Sequence, residues 1–366
     1  MLIALAACGY PPLQGLHDAN TGDAKGDATP DALGPEYGTF IKVGFLSLSA
    51  VPTAALMWTN NVTIDTDGSM CDTRNNQASR YCVIAGSSIT LASLKTLTAH
   101  GSKPLVLLAT STFDLEGTID VSSKRGGTPG AGAAASCPGT TAAAGNSGGF
   151  GGSFGGKGGD GGFIAGTPDG TKGIAAPALP TLPTDLRGGC PGGNGSSTTA
   201  GTAPAGGSGG GAILIITVNM IQMNGTINAS GAGGRGGPMI ESGGGGGGSG
   251  GMIVLDTPLI LPGSSSTIWL FANGGAGGQG GTGSNPSSGP GADGQDPSTP
   301  STFAAGGSNL SRSGGNGGDG AAGLQGAGDA GTAINLGGGG AGGGGVGFIR
   351  TIPITGALIS PLPTAP

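Results

Sequence analysis

Short runs of branched apolar residues, each followed by an alternating stretch, recur along the chain. Leu105, Val106, Leu107 and Leu108 form a continuous run, and then Phe113, Leu115, Ile119 and Val121 alternate with polar neighbours. Runs of this kind bounded by glycine read as strands. Alternation marks a strand with one face buried and the other wet. The pattern repeats. Residues 104–127 (PLVLLATSTFDLEGTIDVSSKRGG), 212–237 (AILIITVNMIQMNGTINASGAGGRGG) and 252–281 (MIVLDTPLILPGSSSTIWLFANGGAGGQGG) line up. Gly117 and Gly225 each fall 13 residues after Pro104 and Ala212, and Thr-Ile follows both. In the third segment Thr267-Ile268 arrives one position later. The second and third segments share a Gly-Gly-Ser-Gly-Gly lead-in, at 206–210 and 247–251. A weaker copy begins at Gly345, and a partial one of 22 residues, Cys82 to Lys103, abuts the first.

Two or three strands in a unit of about 22 residues is the size of one solenoid coil, which buries its apolar face only by stacking on the next. The expected fold is therefore all-β: a short parallel β-solenoid, β-helix-like, over residues 36–366. Glycine-rich excursions near 128–205, 235–250 and 277–344 interrupt it. An antiparallel β-sandwich carrying the same strands is the alternative.

Glycine changes the picture most. Of the 87 glycines, five lie in residues 1–35, six in 36–125 and 76 in 126–366. Residues 148–160 run in Gly-Gly-x triplets whose phase slips at Phe154. Two readings stay open. Such segments pack as three-residue-per-turn extended helices of the polyglycine II kind, with backbone groups paired between neighbours. Alternatively they are flexible loops, because glycine loses the most backbone entropy on ordering. Collagen is excluded, since no sustained Gly-x-y period exists. Only 9% of residues are charged and the net charge is -6. That argues against a nucleic-acid partner, which needs clustered Lys and Arg.

The start of the chain carries an address. Leu5-Ala6-Ala7-Cys8 resembles a bacterial lipobox, in which small residues precede a cysteine that is cleaved at its amino side and lipidated. Seven residues precede Cys8 and none is basic, so a start site further upstream is expected. Residues 1–8 then read as the remnant of a signal peptide with its lipobox, and 9–35 as a disordered acidic tether bearing Asp18, Asp23, Asp27 and Asp31. No later stretch approaches the length of a transmembrane helix.

The other cysteines suit export. Four allow three pairings; Cys71–Cys82 and Cys137–Cys190 are favoured, with four free thiols as the alternative. The first pair would close the polar loop from Asp72 to Tyr81. The second shares a Cys-Pro-Gly context at 137–139 and 190–192. Zinc is not expected, since no C-x2-C pair and no suitable histidine is present.

Catalytic signals are sparse. The histidines are His17, in the tether, and His100, and no Gly-x-Ser-x-Gly elbow occurs. Gly155–Phe163 and Gly314–Ala321 loosely match calcium-binding nonapeptides around Asp160 and Asp319, without tandem copies. Asp65, Asp67 and Asp72 cluster in sequence. Asp114, Glu116 and Asp120 alternate as though on one outward face, where two carboxylates would make a glycosidase pair. A solvated face balanced by Lys124-Arg125 is the preferred reading. No catalytic residue, metal ligand or cofactor is assigned.

With PLVLLA (104–109), GTIDVSSKRGG (117–127), GGGGGGSGGMIVLD (243–256), GGGGVGFIR (342–350) and the two Cys-Pro-Gly sites, the chain resembles glycine-rich exported lipoproteins of unassigned function from myxobacteria and related bacteria. The resemblance spans roughly residues 60–352 and implies the cell envelope, with no catalytic residues to carry over. The expected function is that of an outer-membrane-anchored lipoprotein, periplasmic or surface-exposed, with a structural or adhesive role. Its partners would be the membrane, through the lipid, and a polysaccharide or other cell-surface component. A carbohydrate-active enzyme, lyase or hydrolase, is the first alternative. Ice binding is the second, weakened by the lack of a regular Thr-x-Thr array.

Overall fold

The computed structural model describes residues 36–37, 46–73, 75–163, 171–198, 203–238, 241–263, 268–282, 289–309, 314–334 and 337–364. Cys8, His17 and the 9–35 segment lie outside them. Among the described residues the protein is all-β with no helix. β1 (Glu36–Tyr37) and β2 (Leu46–Ser47) pair antiparallel. The chain then passes repeatedly through three sheets. The first pass supplies β3 (Leu56–Trp58) and β4 (Val62–Asp65). The second gives β5 (Cys82–Gly86), β6 (Ile89–Leu91) and β7 (Thr96–His100). The third gives β8 (Leu105–Ala109), β9 (Thr112–Leu115) and β10 (Thr118–Asp120). The fourth gives β11 (Ala212–Thr217), β12 (Met220–Met223) and β13 (Thr226–Asn228). The fifth gives β14 (Met252–Asp256), β15 (Ile260–Pro262) and β16 (Ile268–Phe271), and the last β17 (Phe348–Arg350) and β18 (Ala357–Ser360).

Sheet A has the order β17-β14-β11-β8-β5, sheet B β15-β12-β9-β6-β3 and sheet C β18-β16-β13-β10-β7-β4. Every strand pairing within these sheets is parallel, so the antiparallel sandwich does not describe them. Register stacks like on like. Ile84, Leu107, Ile215 and Leu255 are successive partners in sheet A, and Leu97, Ile119, Ile227 and Leu270 in sheet C. These residues, with Phe113 and Ile221 of sheet B, form one buried cluster.

Sheet A explains the continuous apolar runs. Its strands are buried on both faces, whereas β9 of sheet B buries only Phe113 and Leu115. A parallel strand covered on both sides needs apolar residues at every position. Val83, Val106, Leu214 and Val254 make a second cluster on the far face of sheet A, with Leu46, Leu48, Phe154 and Leu186. Phe154 is where the triplet phase slips. There the chain reverses, with Phe154 N–H donating to Gly156 O and Gly151 N–H to Gly159 O. The extra residue puts a ring edge-on to Phe348 at 5.0 Å between centroids. The Arg187 guanidinium lies 5.1 Å from the Phe154 centroid and contacts both sulfurs of the neighbouring disulfide.

Within the described residues the glycine-rich segments are ordered. In 243–251, consecutive N–H groups donate to three neighbours in rotation at 2.7–3.0 Å. Gly243, Gly246 and Ser249 donate to Ser196, Gly193 and Cys190; Gly244, Gly247 and Gly250 to Gly339, Gly342 and Gly345; Gly245, Gly248 and Gly251 to Arg235, Ala232 and Ala229. The first and third neighbours run antiparallel and the second parallel. Carbonyls of the same segment accept from Gly149 and Gly152, from Gly207 and Gly210, and from Gly278 and Gly275. One stretch thus pairs with six others, and its backbone is satisfied without a strand ladder. The close approach needs glycine: a Cβ on Gly246 would fall inside the van der Waals envelope of Phe150 O. Segments at the surface have one free side, which is why Lys157, exposed, and Asp160, half-buried, follow each Gly-Gly pair there.

The second and third excursions begin earlier than the glycine density suggests. Ala229 and Ala272 continue directly from β13 and β16, with Ala229 N–H donating to Phe271 O. All three long excursions leave after a sheet C strand and re-enter at a sheet A strand. Cys71 and Cys82 are disulfide-bonded with Cα atoms 4.9 Å apart, and Cys137 and Cys190 with Cα atoms 5.7 Å apart.

Candidate functional site

The outer face of sheet C gathers most of the chemistry. Residues alternate along each strand, so Leu97, Ile119, Ile227 and Leu270 point inward and their neighbours outward. Register then sorts the outward residues into two columns. Thr96, Thr118, Thr226, Trp269 and Leu358 are successive partners in one; Thr63, Thr98, Asp120, Asn228, Phe271 and Ser360 in the other. Adjacent rungs are about 4.8 Å apart and the columns about 6.5–7 Å apart. Trp269 is half-buried and Leu358 is 52% exposed, so an apolar patch sits at one end of a hydroxyl-lined strip. Asn228, Phe271 and Ser360 are buried.

The polar groups are held in place. Asp120 accepts from Ser122 N–H at 3.0 Å and Ser122 Oγ at 2.5 Å, and pairs with Lys124 at 3.6 Å. Asn228 Oδ1 accepts from Ser230 N–H at 3.0 Å. At the other end of the strip, Asp65 and His100 are partners in register. Asp67 accepts from Ser102 Oγ at 2.5 Å and Ser102 N–H at 2.7 Å. The Ser102 hydroxyl, then its N–H, hold the Asp67 carboxyl below the usual range.

The carboxylates at 114, 116 and 120 are not on one face. Asp114 lies on β9 of sheet B, Glu116 at the corner, and Asp120 on β10 of sheet C. The corner between β9 and β10 turns the chain between them, a bend that alternation alone does not register. Burial, then the charge of Glu116, pushes the Asp114 carboxyl up. Asp160 is paired with Lys172 at 3.1 Å and Lys157 at 3.7 Å and accepts from Ala175 N–H, so cations already occupy that carboxylate. Asp319 accepts from Gly306 N–H at 2.6 Å. Among the described residues no group of three or more His, Cys, Asp or Glu side chains is arranged to hold a metal.

Sequence reading missed the threonine columns. Thr96, Thr118 and Thr226 stand on different passes, up to 130 residues apart in the chain, and only the register brings them side by side. The available signal was the Thr-Ile that follows Gly117 and Gly225. Gly225 packs on the backbone of Gly117, which sets the next residue of each pass at the same height. Comparison of the chain with protein families, curated proteins and solved structures finds no match.

Proposed function

We propose that the protein is a cell-envelope lipoprotein, anchored through Cys8, that displays a β-solenoid body with a polyglycine II-like bundle and binds carbohydrate at the outer face of sheet C. Three parallel sheets that receive their strands in the same order on each pass support the solenoid reading. The threefold rotation of hydrogen bonds in 243–251 supports the bundle. Two disulfides fit an oxidising compartment. The observation that carries the binding role is the half-buried Trp269 ring in line with Thr226, Thr118 and Thr96, with Asp120 in the neighbouring column. A sugar ring offers one apolar C–H face and a rim of hydroxyls. An aromatic platform bordered by hydroxyl and carboxylate groups complements both.

A glycan array probed with the protein and with Trp269→Ala tests the role. Binding to a neutral glycan that the variant loses is the expected result; no binding to any neutral glycan, or equal binding by the variant, contradicts it. Fatty-acid labelling tests the anchor: Cys8→Ser is expected to abolish incorporation. The column of Thr96, Thr118 and Thr226 also favours a second reading, ice binding. Thermal hysteresis that Thr118→Val removes would select it over carbohydrate.

A further inference from the structure

A groove of about 640 Å³ lies in the glycine-rich bundle, walled by Lys124 and Arg125 on one side and Arg235 on the other, and Trp269 is not among the residues that line it. That volume falls within the ~300–1,000 Å³ range of ligand clefts. Every charged side chain lining it is cationic, in a chain whose acids outnumber its Lys and Arg by 20 to 14. Its floor is glycine, alanine and proline backbone with Ser208.

The cations are set differently. Arg125 is fixed: its Nε lies 3.2 Å from Asp293, its Nη1 donates to Gly294 O, and its N–H donates to Asp296. The same two aspartates accept from Gly236 and Gly233 N–H at 2.7 Å, so they clamp the two walls together. Arg235 is exposed, and among the described residues its guanidinium makes no ion pair. Its Nη2 lies beside Gly126, where a Cβ would come to 3.1 Å. Lys124 has a half-exposed side chain in a loose 3.6 Å pair with Asp120. The groove thus combines a fixed wall with one unpaired fork donor beside Gly126, and such a fork pairs bidentately with carboxylates and other oxyanions.

We propose that this groove binds the carboxylate or sulfate groups of an acidic oligosaccharide. Its volume exceeds that of a single ion. Among the described residues no aromatic or large apolar side chain lines it, so these offer neither a base-stacking platform nor an anchor for an apolar peptide. Bare backbone and a hydroxyl suit a ligand whose remaining surface is hydroxyls. Trp269 does not line the groove, and the Lys124–Asp120 pair joins it to the Trp269 face.

Titration calorimetry of the full chain with tetragalacturonate and with a sulfated tetrasaccharide tests it, the two probes separating carboxylate from sulfate. Expected is binding of at least one, weakened by salt, reduced about tenfold by Arg235→Ala, partly restored in Arg235→Lys and unchanged in Trp269→Ala. Binding of neither probe, affinity indifferent to Arg235→Ala, or equal affinity for inorganic sulfate or phosphate overturns it. Loss of neutral-glycan binding in Trp269→Ala reports on the other face alone, so the two readings fail separately.

Discussion

At the scale of single residues, glycine is selected by what lies where its side chain would be. Gly246 is surrounded by other backbones, and a Cβ there meets Phe150 O; Gly127 is exposed, and a Cβ there makes only ordinary contact with Lys124. The same change should therefore give opposite results. Gly246→Ala is expected to destabilise by about 1–3 kcal/mol, and Gly127→Ala to stay within about 0.5 kcal/mol, both read by urea denaturation. Two carboxylates make a second contrast. Burial raises Asp160, but Ala175 N–H and Lys172 outweigh it, so the folded state holds that carboxyl below its ordinary value. Such a group stabilises above the unfolded value and loses that contribution as pH falls through the folded one. Asp114 is shifted up, so its ionised form is disfavoured in the folded state at neutral pH. Asp160→Asn is expected to be less stable than the parent at pH 7 and Asp114→Asn more stable, with both differences closing on acidification through the carboxylate range. Thermal melts from pH 7 to pH 3 check this. Spacing alone put Asp114 on one face with Asp120, which the corner between β9 and β10 separates. The sequence near Asp160 shows only a loose calcium-like match, and its partner Lys172 lies 12 residues away, outside that motif.

At the scale of elements, hydrophobic pattern was a good guide wherever side chains did the packing. LVLL, ILII and MIVL mark sheet A because both faces of that sheet are covered. Phe113 and Leu115 alternate because sheet B has a wet side. The first pass escaped notice: β3 and β4 are three and four residues long and lack the continuous sheet A run that announces the later passes. Phe154 was legible only as a break in a triplet phase. Its role as the plug between the bundle and sheet A depends on Phe348, nearly two hundred positions later. Phe154→Ala is expected to cost about 3–5 kcal/mol, measured by denaturant unfolding. The Cys137–Cys190 bond spans a sequence separation of 53 and ties two bundle segments beside that ring. Replacing both cysteines by serine is expected to lower stability by about 4 kcal/mol on the chain-entropy account, with the transition midpoint in urea as the readout.

At the scale of the molecule, two kinds of order meet at one corner. Side-chain burial holds three parallel sheets together, while backbone hydrogen bonds hold the excursions that leave after sheet C and return to sheet A. The sheets were readable because their strands differ in composition and spacing. The bundle's pairings were not. Gly149, Gly244 and Gly339 come from distant, nearly identical tracts with no side chains to distinguish partners, yet they lie in one hydrogen-bonded row. What the sequence does carry is depth: six consecutive glycines at 243–248 in the segment with neighbours all round, and Gly-Gly-x where one side faces water. The central claim is that these tracts are packed structure, as firmly bonded as the strands. Native-state hydrogen exchange of amides 243–251 tests it most directly. Protection matching that of β8 and β11, lost only on global unfolding, is expected; exchange at the rate of an unstructured chain would contradict the account.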